Sequence, residues 1–165
     1  MTETAVPPFV VTMDGPTWLS MEMPLEGVAP LEVLTWFTQP DKLRQWWGPQ
    51  EIEIDPVPGG SCIVSWPKMG WTMRGEIATV TGTLLVYSWS WDHEPHLPAR
   101  AVVVRAGVRE GGSLVTLTHG PFRPDGQGEG LANEDADRAS HCEGWTNFLP
   151  ELKRVAEGQE HIAIH

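Results

Sequence analysis

Short strand-like segments separated by tight turns occupy the middle of the chain, and they constrain its fold more than any other feature. Turn-forming residues cluster at 56–60, 67–70, 92–98 and 110–112, and apolar side chains recur at every second position between them. A period of two is typical of β-strands. Connections this short join antiparallel neighbours, because a parallel crossover needs a dozen or more residues. Residues 51–119 are therefore predicted to form an antiparallel meander.

The residues before the meander predict one further strand and two short helices. Leu19, Met21 and Met23 share one face of a strand over 17–24. Pro30 and Pro40 each stand where the first turn of a helix tolerates proline, and the break between the two helices is predicted at 38–40. Residues 1–16 are predicted to form an arm that pairs weakly at a sheet edge over 9–12.

A long C-terminal helix is predicted from an N-cap at Asn133 to about residue 157. Its apolar stripe consists of Trp145, Phe148, Leu149, Leu152 and Val155. Two residues interrupt the helical pattern. Gly144 lets a ligand or another backbone come close, and Pro150 removes a backbone donor, so that a bend near Thr146 is expected.

These elements predict an α+β fold in which a curved antiparallel sheet of six to seven strands surrounds the C-terminal helix. The two short helices follow the first strand. The domain is expected to span 17–158, with an N-terminal arm at 1–16 and a C-terminal tail at 159–165. Between such a sheet and its helix there is room for a cavity.

The charge of the chain excludes several classes of partner. Asp and Glu number 22 against 11 Lys and Arg, a formal net charge of −11, so neither nucleic acid nor an anionic membrane surface is an expected partner. No apolar run is long enough for membrane insertion. The first eight residues do not resemble a signal peptide, which makes the cytoplasm the expected compartment, with Cys62 and Cys142 reduced and buried.

Nine tryptophans stand beside one tyrosine and four phenylalanines, and the predicted elements divide them into groups. Trp36, Trp46 and Trp47 lie on the short helices, where a structural role is favoured. Large aromatic residues on one face of neighbouring strands suit either a core or a pocket for flat apolar ligands. The residues predicted to line a ligand-binding cavity are Trp71, Met73, Tyr87, Trp89, Leu117, His119, His141 and Trp145.

No cofactor, metal site or catalytic residue is predicted. The pair His93 and His96 lies in a proline-flanked loop and lacks a third ligand at suitable spacing. The acidic glycine-rich run at 125–130 lacks the ligand spacing of a calcium loop, and no glycine-rich phosphate loop opens a helix. His119 and His141 remain candidates for general acid–base catalysis, against the alternative of buried histidines with structural hydrogen bonds.

Several segments resemble those of a known family in their order and spacing. They are APLEV at 29–33, WFTQPDKL at 36–43, WWGP at 46–49, PGGS at 58–61, MRGEI at 73–77, LVYSW at 85–89, LVTLTHG at 114–120 and EGW at 143–145. The chain resembles, from about 21 to 156, the Aha-type family, whose members are similar to the C-terminal domain of the activator of the heat-shock protein 90 ATPase.

This family is part of the START-like superfamily, which includes the birch-pollen allergen, polyketide cyclases and aromatases, and lipid-transfer domains. The resemblance implies a helix-grip fold that encloses an apolar cavity, and it implies no shared catalytic triad or cofactor. The function favoured at this point is the binding of a small hydrophobic or aromatic ligand without catalysis.

Two alternatives stay open. One is a co-chaperone-like interaction module that acts on a heat-shock protein 90 type ATPase. The other is an enzyme of the cyclase or aromatase type that uses a cavity histidine. A homodimer is also open.

Overall fold

The computed structural model describes residues 10–12, 17–48, 51–95, 97–122 and 134–158. Within these ranges the strands are β1 (Val10–Thr12), β2 (Leu19–Glu26), β3 (Glu51–Ile54), β4 (Ser61–Trp66), β5 (Trp71–Val80), β6 (Leu84–Trp91), β7 (Arg100–Arg109) and β8 (Gly112–Gly120). The helices are α1 (Pro30–Val33), α2 (Thr35–Thr38), α3 (Pro40–Trp46) and α4 (Asp135–Ala156). A 3-10 turn, Pro67–Met69, joins β4 to β5.

The strands form one sheet in the order β1-β2-β8-β7-β6-β5-β4-β3, and all neighbours are antiparallel. The meander predicted from the turn spacing is confirmed from β3 to β8. Seven strands have four or more residues, in agreement with the six to seven expected, and the three-residue β1 adds an edge to β2. The register of β5 against β6 shifts between Ile77 and Thr79, and such a bulge bends the strand.

Helix α4 packs its apolar stripe into the body of the protein. Its buried residues recur at intervals of three and four, and they are His141, Trp145, Leu149, Leu152 and Val155. The C-terminal turn is tied to β2 by polar contacts: Lys153 donates to the Pro24 carbonyl across 2.7 Å, and the Glu26 amide donates to Glu157 across 2.7 Å. The predicted α+β helix-grip arrangement is therefore confirmed.

The helices after β2 differ in one respect from the prediction. The break at 38–40 is present, and Pro30 and Pro40 occupy first turns as expected. The first predicted helix is divided again at Leu34, because the Thr35 hydroxyl donates to the Glu32 carbonyl across 2.6 Å and competes with the backbone for that acceptor.

Several other expectations concern the chain ends and loops. Asn133, the tail 159–165 and the arm apart from β1 lie outside the described residues. Cys62 is buried and Cys142 half-buried, and both are free thiols. Burial raises the pKa of Cys62 to about 12. In the described part of the chain, no helix combines the length and the apolar character that a membrane span requires.

Candidate functional site

A cleft of about 610 Å³ opens where α4 passes the strands β4 to β6. Six of the nine tryptophans line it: Trp47, Trp66, Trp71, Trp89, Trp91 and Trp145. We call this space the tryptophan cleft.

Strand pairing brings the indoles of the sheet together. Trp89 and Trp91 are two positions apart on β6 and so share a face. Trp66 is the register partner of Trp71, and the Trp91 ring lies 6.0 Å from Trp66 and 5.9 Å from Trp71 between centroids. Trp71 is 41% exposed and forms the rim.

The floor of the cleft is a packed group of indoles. Trp89 has its ring centroid 5.8 Å from that of Trp47 and 5.7 Å from that of Trp145, and Trp47 and Trp145 are 5.7 Å apart. All three are buried. In the described structure these three side chains fill the space between the sheet and α4. The accessible volume of the cleft lies on the solvent side of them.

His119 is sealed below this floor. It is 0% exposed, and its Nδ1 accepts a hydrogen bond from the Trp145 indole across 3.0 Å. A neutral imidazole that accepts at Nδ1 carries its proton at Nε2. Burial lowers the pKa of His119 well below its ordinary value, and the electrostatic interactions with His141 and with the Arg100 guanidinium lower it further.

His141 lies between His119 and the cleft. The two imidazole centroids are 4.6 Å apart, and His141 lines the cleft although it is only 8% exposed. Its Nε2 is 3.6 Å from Oδ1 of Asp137, an ion-pair distance beyond hydrogen-bond range. Burial lowers the pKa of His141 to about 4; Asp137 opposes this shift and Arg100 reinforces it.

A buried charged network supports the first turn of α4. The Arg100 guanidinium donates to Glu134 across 2.8 Å and pairs with Oδ2 of Asp137 at 2.7 Å. Both Arg100 and Glu134 are buried, and the guanidinium lies 4.4 Å from the centroid of the Phe122 ring. Because Asp137 lines the cleft, this network connects the site to the start of β7.

Half of the residues predicted for the cavity line the cleft. Trp71, Trp89, His141 and Trp145 do so. The other four are buried in the core and are not lining residues: Met73, Tyr87, Leu117 and His119. Trp47, which the sequence assigned a structural role, is both buried and part of the lining.

Sequence reasoning missed the charged network. Arg100 and Glu134 are 34 positions apart and belong to no motif. The sequence shows an arginine at the start of β7 before the apolar run 101–104, and acidic residues in the first turn of α4, but nothing that links the two.

The described residues hold no group of three or more histidine, cysteine or acidic side chains with the geometry of a metal site. His93 lines the cleft, with its ring 5.3 Å from that of Trp91. His96 and the acidic run at 125–130 lie outside the described residues.

A family model described as "Activator of Hsp90 ATPase homolog 1-like protein" matches residues 28–157, well over half of the chain. No curated protein matches. Among solved structures, protein MLL2253 from Mesorhizobium loti is 19% identical with a TM-score of 0.69, covering 83% of this chain and 94% of that one. These values establish similarity of fold alone.

Two further structures are similar to the same degree. CalU16 from Micromonospora echinospora is 18% identical with a TM-score of 0.64, covering 94% of this chain and 87% of that one. DynU16, a protein of the dynemicin biosynthetic locus, is 20% identical with a TM-score of 0.68, covering 86% of this chain and 48% of that one.

Proposed function

The chain belongs to the activator of Hsp90 ATPase homolog 1-like family, and from this membership and the geometry of its cleft we propose that it binds a small apolar, aromatic ligand. The ligand would lie in the tryptophan cleft, between the indoles of the sheet and α4. In this proposal the protein acts in the cytoplasm as a binding protein and not as an enzyme.

The observation that carries this proposal is the concentration of six indoles around one open space of about 610 Å³. Sites for small molecules are clefts of roughly 300–1,000 Å³ with mainly apolar and aromatic walls and a few polar groups. Indole rings offer large flat faces that stack on planar ligands. An aromatic compound of two or three fused rings fits this description in size and shape.

Gly144 supports the proposal independently. It lies inside α4 and lines the cleft, and a Cβ added there would meet no atom within 4 Å. A glycine within a helix costs about 0.5–1 kcal/mol relative to alanine. Packing does not require a glycine at this position. We infer that Gly144 keeps the space over α4 open for a ligand.

His141 supplies a polar anchor for the ligand. Its Nε2 has no hydrogen-bond partner among the described residues, although the side chain is more than nine-tenths buried. Buried polar atoms are normally satisfied by protein, water or ligand. A hydroxyl group on the ligand would satisfy this nitrogen at the inner end of the cleft.

The proposal is tested by titrating the purified protein with naphthylethanol, a neutral aromatic probe, while tryptophan fluorescence is recorded. We expect saturable quenching in the wild type. Trp71→Ala removes an exposed part of the wall and Gly144→Leu fills the space over α4, so both should weaken binding by about tenfold or more.

The control is Leu31→Ala, which removes an exposed apolar side chain outside the cleft. It should bind the probe as the wild type does. Quenching that does not saturate, or equal affinity in all four proteins, would exclude the cleft as an aromatic site.

A co-chaperone function is the second candidate, and the description of the matching family favours it. The test is the rate of ATP hydrolysis by a purified heat-shock protein 90 with and without this protein. Stimulation would support the second candidate, and an unchanged rate would remove it.

Native mass spectrometry of the same preparation tests the predicted alternative of a homodimer.

Catalysis by a cavity histidine is the third candidate. It now rests on His141, which lines the cleft close to Asp137, because His119 has no exposed surface. A neutral imidazole whose pKa lies near 4 is a weak base at neutral pH. We therefore rank catalysis below binding. If a substrate is found and the His141→Asn variant does not turn it over, that result would reverse the order.

A further inference from the structure

The two walls of the tryptophan cleft differ in chemistry. The sheet contributes the indoles of Trp66, Trp71, Trp89 and Trp91. Helix α4 contributes the aromatic rings of Trp145 and Phe148 and, unlike the strands, several polar side chains, which are those of Asp137, Ser140, Glu143 and Asn147. A ligand that fits both walls has a flat apolar face and a polar edge.

Three acidic side chains line the cleft. Glu94, Asp137 and Glu143 line it, and no lysine or arginine is among the lining residues that the structure describes. Arg100 pairs with Asp137 and also with Glu134, so one guanidinium faces two carboxylates below the cleft. Glu94 and Glu143 form no ion pair with any described residue.

Indole faces and free carboxylates together favour a positively charged ligand. A cation over an indole is attracted by the negative face of the ring, and the attraction grows as water is excluded. A carboxylate at the cleft edge adds Coulomb attraction and a charge-assisted hydrogen bond. An anionic ligand meets repulsion from the same groups.

We propose that the cleft selects planar aromatic ligands that carry a protonated amine. The aromatic part lies against Trp71, Trp89 and Trp91, and the ammonium group lies against the α4 wall near Glu143 and Glu94. This inference rests on the proposed function, since it names the chemical class that the same cleft accepts. It adds a charge preference that an ordinary apolar pocket does not have.

Three probes with one ring system and different charges test the preference: naphthylethylammonium, naphthylethanol and naphthylacetate. Affinities are measured by tryptophan quenching at pH 7.5, where the amine is protonated and an unperturbed imidazole is neutral. We expect the ammonium probe to bind about tenfold more tightly than the alcohol, and the acetate to bind most weakly. The ammonium advantage should shrink between low salt and high salt because exposed charges are screened.

Matched variants assign the charge preference to its residues. Glu143→Gln and Glu94→Gln each remove one charge with little change in shape, and each should weaken the ammonium probe about threefold to fivefold while leaving the alcohol unchanged. Glu110→Gln makes the same change in the exposed β7–β8 turn, away from the cleft, and should alter neither probe.

The outcomes separate this inference from the proposed function. Equal affinities for the three probes, or tighter binding of the acetate, would overturn the charge preference and leave the aromatic site standing. No saturable binding of any probe would overturn both. An ammonium advantage that Glu110→Gln reduces as much as Glu143→Gln does would reflect the net charge of the protein, and would also overturn the assignment to the cleft.

Discussion

The indole nitrogen of Trp145 on α4 donates a hydrogen bond across 3.0 Å to Nδ1 of His119 on β8. Both side chains are buried, so this bond is shielded from water and fixes the imidazole tautomer with its proton at Nε2. The bond therefore fixes the position of α4 relative to β8 directly below the tryptophan cleft.

Replacing Trp145 with phenylalanine keeps most of the aromatic area but leaves His119 Nδ1 without its donor. A buried acceptor without a partner costs about 1–3 kcal/mol. The control is Trp89→Phe, because the indole nitrogen of Trp89 has no hydrogen-bond partner in the described structure. We expect Trp145→Phe to lower the free energy of unfolding by about 1–3 kcal/mol more than Trp89→Phe does. Urea denaturation of both variants measures the difference, and equal losses would contradict the role of the hydrogen bond.

Acidification should destabilise the protein through its buried histidines. The pKa of His141 falls from an ordinary 6.5 to about 4 in the folded chain, and that of His119 is lowered in the same direction. Between these pH values the unfolded chain binds more protons, so the free energy of unfolding falls as pH falls. From pH 7.5 to 5.5 we expect a loss of about 1 kcal/mol from His141 alone.

The measurement is urea denaturation at both pH values for the wild type and for His141→Asn. The variant should show a smaller decrease, because the titrating group is gone. His93→Asn removes an exposed imidazole and should retain the wild-type decrease. A pH profile that is the same in all three proteins would show that His141 is not the group responsible.

Breaking the buried pair of Arg100 and Glu134 should destabilise the fold strongly. Arg100→Met removes the guanidinium that pairs with the buried Glu134, and loss of one partner of a buried ion pair typically costs about 3–5 kcal/mol. Combining it with Glu134→Leu should cost less than the sum of the two single changes. The control is Arg74→Met, which breaks an exposed pair with Asp92 and should lower the free energy of unfolding far less than Arg100→Met does.

Gly144 and Gly75 should respond oppositely to alanine. At Gly144 the added methyl group enters open space, and helix propensity should raise the stability by about 0.5–1 kcal/mol. At Gly75, in β5, a Cβ would overlap the carbonyl oxygen of Ser88 on the neighbouring strand, so Gly75→Ala should destabilise the protein. Thermal unfolding of the two variants tests both signs, and a loss of stability in Gly144→Ala would contradict the open space inferred there.

The fold was predictable because its signals are local. The two-residue period at Leu19, Met21 and Met23 marks the buried face of β2, and the short turns leave only antiparallel pairing for the meander. Likewise the spacing of Trp145, Leu149 and Leu152 marks the buried face of α4. The division at Leu34, next to the contact between the Thr35 hydroxyl and the Glu32 carbonyl, was missed because the apolar spacing continues across it.

The candidate site was predictable only in part. The period of apolar residues shows which side chains of a strand point into the protein. It does not show which of them pack in the core and which line a cleft. Tyr87 and Trp89 share a face of β6, yet only Trp89 reaches the cleft. That distinction depends on where α4 crosses the sheet, and the pairing of Arg100 with Glu134 depends on it as well.

The strand order has a consequence for how the protein acquires its structure. Strand β2 comes early in the sequence, yet its main partner is β8, and Ser20 and Thr118 meet although they are 98 positions apart. The edge of β2 that pairs with β8 therefore stays without its partner until the rest of the meander has been synthesised. Sheets closed by such distant pairings fold on the order of milliseconds to seconds. During synthesis, β2 is therefore a segment prone to aggregation until β8 follows it.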